Sequence, residues 1–217
     1  MVAASLILLG ASRFYAALVS LPSGPILKQI QEGKAVDGED LENLIDSQKR
    51  AIQWNESARR WTDLGLAQLL AADGTVNEKD RKQALGAAEK SLIRGLSMSP
   101  ASAFAWTRLA YVDLAMNGPS RSVAKKLNFA VTRAPYDRRI LFSRLRLGLL
   151  VWAQFDGPEQ SVQLEQIKFA WRVNPARLVS LVANMQRTNV VRAALFTNPD
   201  SIAKFEQLLK KHVDQKL

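Results

Sequence analysis

From Ser57 onward the large apolar residues recur three and four positions apart, the spacing that gathers side chains onto one face of an α-helix. The runs GLAQLLAA, LAYVDLAM and LGLLVWAQF lead into Asp73-Gly74, Asn117-Gly118 and Asp156-Gly157. These glycines predict helix ends, each in the left-handed conformation that lets the chain turn back. Ser99-Pro100, Asn174-Pro175 and Asn198-Pro199 predict helix starts, with a capping side chain followed by a proline at the first helical position. The resulting order is helix, glycine turn, helix, proline turn.

Read backwards from its prolines, the chain repeats itself. Ala88, Leu92 and Gly95 precede Pro100, Val123, Leu127 and Ala130 precede Pro135, and Gln163, Ile167 and Ala170 precede Pro175, at the same offsets each time. Each helix thus sets a bulky residue beside a small one that lets a neighbouring backbone approach. Whole words recur as well: WTDLG at Trp61 returns as WTRLA at Trp106, and NGPSRSV at Asn117 returns as DGPEQSV at Asp156. Successive glycine turns are 44 and 39 residues apart and successive prolines 35 and 40, the range of stacked helical units.

Trp61-x-x-Leu64-Gly65 with Ala88, Leu92, Gly95 and Pro100 resembles the tetratricopeptide repeat, as does Trp106-x-x-Leu109-Ala110 with Val123, Leu127, Ala130 and Pro135. The third unit departs from it, placing Phe142, Leu145 and Gly148 in its first helix and Gln163, Ile167 and Ala170 in its second. The resemblance covers residues 57–174 and implies an all-α chain, a right-handed α-solenoid of helix-turn-helix repeats, with a further helix pair after Pro175. Trp61, Leu64, Gly65, Ala88, Leu92, Gly95, Leu109, Ala110, Leu127, Ala130, Ile167 and Ala170 are then the repeat-packing positions.

The first residues follow another pattern. Val2 to Leu21 carry a single charge, Arg13, and are long enough to span a bilayer as a helix. Arg13 costs ~3 kcal/mol on the insertion scale against ~0.3–0.6 kcal/mol returned by each large apolar residue, so insertion is close to balanced. We expect residues 1–22 to form an apolar helix serving as a membrane anchor; the competing expectation is a helix packed on the first repeat. Residues 23–56 read as a helical connector with a turn at Asp37-Gly38, Asp37 capping the next helix, and 57–217 as the repeat domain. The order SRFYAALVSLPSGPILKQI, DGEDLENLIDSQKRAIQW, ARRWTDLGLAQLL resembles the bacterial VpsP-type polysaccharide-biosynthesis proteins. That resemblance implies an inner-membrane protein with a single N-terminal anchor, its repeat domain periplasmic, working beside exopolysaccharide-assembly machinery.

Composition narrows the chemistry. No cysteine is present, which removes disulfides, thiolate metal sites and a cysteine nucleophile. The one histidine, His212, lies near the end of the chain, a poor place for a preorganised base. No phosphate-binding glycine loop or dinucleotide fingerprint occurs, and Asp37, Glu39, Asp40 and Glu42 lack the alternating oxygen ligands of a calcium loop. We therefore expect no catalytic residues, no cofactor and no metal. The net charge of +10 is uneven: from Arg121 to Arg192 thirteen basic residues face four acidic ones. Such a surface attracts an acidic protein or an anionic membrane surface. A protein partner is expected on the concave face, drawing on Arg59, Arg60, Trp106, Arg108, Asp113, Arg139, Arg144 and Arg146. Arginine forks suit a partner's carboxylates. The alternative is a soluble helical-repeat adaptor, or a nucleic-acid binder using residues 121–192; irregular repeats argue against the latter, because repeat readers of RNA need units at constant spacing.

Overall fold

A computed structural model describes the backbone of residues 2–32 and 34–215 and, apart from residues 2–9 and Gln31, their side chains. The described residues form α-helices joined by turns, with no strand among them. They fall into two compact units, one running to Met116 and the other from Asn117.

The first unit holds α1 (Val2–Val19), α2 (Ser23–Gln31), α3 (Gly38–Trp54), α4 (Ala58–Asp73), α5 (Glu78–Met98) and α6 (Ala103–Asn117). Helices α4 and α5 make an antiparallel hairpin built on the small residues the repeat pattern picked out. A Cβ on Gly65 would stand 2.7 Å from Leu92 Cγ, and one on Gly95 would stand 2.9 Å from Thr62 Oγ1 and 3.2 Å from the Ala58 carbonyl. Bulk at either position would push the two backbones apart. Leu85, Ala88 and Leu92 of α5 share a buried cluster with Leu69 of α4 and Ala105, Leu109 and Val112 of α6. Ile26, Leu44 and Ala67 form a second cluster, tying α2 and α3 to α4. Helix α3, in the expected connector, buries Leu41, Leu44 and Ala51 and belongs to the same compact unit as α4.

Helix α1 lies against α3. Ala16 is fully buried and the Tyr15 and Trp54 rings meet at 4.4 Å, whereas Phe14, Leu18 and Leu21 face outward, Phe14 with 71% of its surface exposed. Among the described residues no helix is long and apolar enough to cross a membrane. The anchor expectation also rests on residues 1–9, whose side chains lie outside the described residues.

The second unit holds α7 (Arg121–Arg133), α8 (Arg138–Leu150), α9 (Gly157–Val173), α10 (Pro175–Asn184), α11 (Thr188–Leu195) and α12 (Pro199–Asp214). Its core joins Leu141 and Leu145 of α8 to Ile167 and Ala170 of α9, Leu178 and Val182 of α10, Val191 of α11 and Phe205 of α12. After Pro175 the chain forms three helices, not a pair, because Gln186 takes a positive φ of 55° and divides the expected first helix of that pair into α10 and α11.

The turn signals resolve unequally. Asn174-Pro175 and Asn198-Pro199 start helices as expected, each Asn side chain accepting a backbone N–H of the first turn. Asp37 likewise accepts from the Asp40 amide at 2.8 Å. Pro100 sits instead in a turn, and Ser102 caps α6 by accepting from the Ala105 N–H. Gly118 takes the left-handed conformation, φ +75°, but Gly74 ends α4 at φ −83°, where any residue fits. Gly157 does not close a helix at all. It opens α9, with Asp156 as cap and Glu159 completing a reciprocal capping box. The repeated words NGPS and DGPE therefore fold in different registers: the first helix starts after Ser120, the second after Asp156.

Candidate functional site

The residues expected on one concave face divide between the two units, and burial divides them again. In the first unit Arg108 reaches from α6 to α4, donating to the Thr62 carbonyl at 2.8 Å and lying 3.7 Å from the Asp63 carboxylate. Burial pushes the Arg108 pKa down and that of Asp63 up; the attraction between them, helped for Asp63 by Arg59, opposes both shifts. Arg108 thus cross-links two helices. Trp106 is half-buried and donates its indole N–H to the Pro100 carbonyl at 2.8 Å, while Asp113 is buried. Arg59 is exposed on α4, and Arg60 is half-buried with Nη1 donating to the Asn55 carbonyl at 2.9 Å.

The repeat-packing residues are buried as a set, Trp61 excepted. Trp61 is half-buried and donates to Glu56, whose carboxylate also accepts from Arg94 Nε and Nη2 at 2.7 and 2.8 Å. These hydrogen bonds hold the Glu56 pKa below its ordinary value.

In the second unit Arg144 is 1% exposed. Its Nη1 donates to the carbonyls of Ala130 and Ala134 at the end of α7, and its Nη2 to Gln166 Oε1 on α9, whose amide in turn donates to the Pro135 carbonyl. The guanidinium therefore caps α7 from within the core, which removes it from any surface that meets a partner. Burial lowers its pKa to about 10, so it stays charged at neutral pH. Arg139 is exposed and doubly bonded to Asp137, the cap of α8, at 3.0 and 2.7 Å.

Arg146 is exposed and belongs to a grouping that the sequence did not mark. Arg177, on α10, lays its guanidinium 4.3 Å from the centre of the Phe142 ring on α8. Arg138 and Arg146 lie one turn before and one turn after Phe142 on the same helix face, about 12 Å apart along the axis. All three arginines are exposed, and none forms an ion pair among the described residues. The Arg177–Phe142 contact spans 35 positions of sequence, so no local pattern announces it.

The described residues bring together no cluster of His, Asp and Glu able to hold a metal. No protein-family model matches the chain, and neither a curated protein nor a solved structure matches it.

Proposed function

We propose that the chain is a non-catalytic helical-repeat adaptor that holds an acidic protein segment on the arginine surface of its second unit. One observation carries this reading: Arg177 lies on the Phe142 ring, Arg138 and Arg146 stand one turn to either side of Phe142 on α8, and none of the three is ion-paired among the described residues. Like charges gathered without internal compensation repel one another, and an acidic partner relieves that repulsion. An extended peptide covers about 12 Å in three to four residues, so two or three carboxylates can meet the cluster together.

The tetratricopeptide resemblance, a right-handed solenoid of helix pairs, is supported by the α4–α5 hairpin, where Gly65 and Gly95 meet the partner helix as small repeat positions do. A place beside exopolysaccharide-assembly machinery at the bacterial inner membrane follows from the VpsP-type resemblance. The outward-facing Phe14 and Leu18 on α1, with Leu21 in the turn after it, favour contact with an apolar medium there. A reporter fused after Leu217 that works only outside the cytoplasm, scored with membrane retention, tests that placement; a soluble, inactive fusion overturns it.

The adaptor reading is tested by titrating the full chain, near physiological salt, with a Glu- and Asp-rich peptide and with single-stranded RNA of equal charge. The expected result is peptide binding weakened at least about tenfold by the combined R138E, R146E and R177E changes, matching the loss of ~1.4 kcal/mol or more. Tighter, salt-resistant binding of the RNA would replace the adaptor with a nucleic-acid binder.

A further inference from the structure

Helix α1 inverts the usual rule for a surface helix, which is polar where it meets water. From Gly10 onward its exposed arc runs through Ala11, Phe14 and Leu18, with Leu21 in the turn that follows. Phe14 stands at the middle of that arc, and beside it Leu18 is 49% and Leu21 65% exposed. Arg13 is the one charged side chain on the arc and lies at its edge. At the opposite edge the Tyr15 ring meets the half-exposed Trp54 of α3, with the exposed Arg50 one turn before Trp54. The other face of α1 is already taken. Ala16 is fully buried, and Ser23, at the start of α2, hydrogen-bonds Ser47 of α3. Tyr15 meets residue 54 and Ser23 meets residue 47, so the chain here runs antiparallel along α3.

That packing decides how the apolar arc can meet lipid. Helix α3 exposes Glu39, Glu42, Asp46, Lys49 and Arg50, charges that cannot follow α1 into hydrocarbon. With α3 in place, the arc lies parallel to a bilayer surface. Its composition suits that position: apolar side chains enter the acyl chains, Tyr and Trp rings sit at headgroup level, and guanidiniums on either side reach lipid phosphates. No acidic residue precedes Glu32, so nothing on α1 or α2 repels an anionic headgroup. A second copy docked on the same strip would instead bring another Arg13 and Arg50 to the same rim, where like charges repel. We infer that α1 docks in the plane of an anionic bilayer surface, with Phe14, Leu18 and Leu21 in the acyl layer and Arg13 and Arg50 on lipid phosphates. This deepens the membrane placement proposed above and rests on it, and it is independent of the arginine surface on the second unit.

The test is flotation of the full chain with phosphatidylcholine vesicles that contain phosphatidylglycerol. The chain is expected to float with them. Phe14→Glu with Leu18→Glu should weaken partitioning at least about tenfold, and Arg13→Gln with Arg50→Gln severalfold. All four side chains are exposed, so these changes leave the core intact. Because the chain has no cysteine, Gly10→Cys and Ala17→Cys each take a single spin label, at exposed positions two turns apart on one side of α1. The depths of the two labels, read by collision with oxygen and with a water-soluble nickel chelate, are expected to agree. A helix crossing the bilayer would separate them by about 10 Å. The inference is overturned if the chain does not float or if the two labels differ by that amount. It is also overturned if Phe14→Glu with Leu18→Glu floats as the unaltered chain does, which would move the lipid contact to the basic second unit. A soluble, inactive reporter fusion would remove the inner-membrane placement while leaving the vesicle result standing, so the two failures are distinguishable.

Discussion

Helix α5 contains two glycines whose replacement by alanine should move stability in opposite directions. Gly86 faces open space, with nothing within 4 Å of an added Cβ, so alanine there gains helix propensity alone. That gain is ~0.5–1 kcal/mol. At Gly95 the same propensity gain meets a Cβ placed 2.9 Å from Thr62 Oγ1, 3.2 Å from the Ala58 carbonyl and 3.4 Å from the Thr62 nitrogen. Two of those three atoms are backbone, and Thr62 Oγ1 is already fixed by donating to the Ala58 carbonyl at 2.7 Å. Relief therefore requires α4 to move as a body, which costs ~1–3 kcal/mol in a packed core. The net expectation is stabilisation by ~0.5–1 kcal/mol for Gly86→Ala and destabilisation by ~1–2 kcal/mol for Gly95→Ala. Urea unfolding followed by helical circular dichroism gives both numbers, the midpoint shifting while the slope stays constant. Equal stabilisation by both substitutions would mean that α4 and α5 do not approach at Gly95, and the repeat-like hairpin would lose its physical basis.

Other expectations concern buried charge and acid stability. Arg144→Met should destabilise the second unit by ~2–4 kcal/mol in the same unfolding assay, because the Ala130 and Ala134 carbonyls and Gln166 Oε1 lose their donor together; Arg144→Lys should not restore it, since one ammonium cannot reach both helices with a fork's geometry. Asp63→Asn and Arg108→Met should each destabilise the first unit, and the double variant should lose less than their sum by ~1 kcal/mol, since each single change leaves the other charge buried and uncompensated; strict additivity would show that the 3.7 Å pair carries no coupling. Glu56 has a folded pKa below its ordinary value of 4.5, so its contribution is fully present above pH 4.5 and is lost as pH falls through the folded value. Glu56→Gln should therefore flatten the acid limb of a melting-temperature profile below pH 4.5, with a smaller effect on that limb expected from Arg94→Gln in combination.

The features legible in the sequence are those decided within one helical turn. Asp37, Asn174 and Asn198 cap helices because an acceptor side chain needs only the amides two and three residues on. Small residues at Gly65, Ala88 and Gly95 were legible because the repeat spacing fixes which face they share. Gly157 misled because an Asp-Gly pair serves equally to end a helix or to cap and open one, and only what precedes it decides; Gly74 does end α4, at φ −83° instead of in the left-handed region. The three-residue 3₁₀ turn at Trp152–Gln154 already separates α8 from Asp156, so Asp156-Gly157 was free to start α9. The roles of Arg144 and Arg177 lay beyond local reading altogether. Their partners are up to 22 and 35 positions away, on helices whose mutual packing the residue spacing does not encode.

Charge shows the same limit, with a consequence for function. All of the excess lies from Asn117 onward, where seventeen basic residues face seven acidic ones, but that excess is not a uniform field. Arg144 is spent inside the core, Arg121 binds Asp156 and Glu159, Arg192 binds Glu206 at 2.6 and 3.0 Å, and Arg139 binds Asp137. The Arg121 and Arg192 pairs fasten helices to one another, the Arg139 pair ties α8 to its own cap, and all add little potential outside, since each guanidinium is neutralised at contact distance. What remains for a partner is the smaller set without carboxylates. Of these, Arg177 is held against the Phe142 ring, and Arg138 and Arg146 stand exposed one turn to either side of that ring on α8. A guanidinium held on an aromatic ring gives up less freedom on binding than a loose lysine, so within the proposed acidic-segment surface Arg177 is the best-prepared contact.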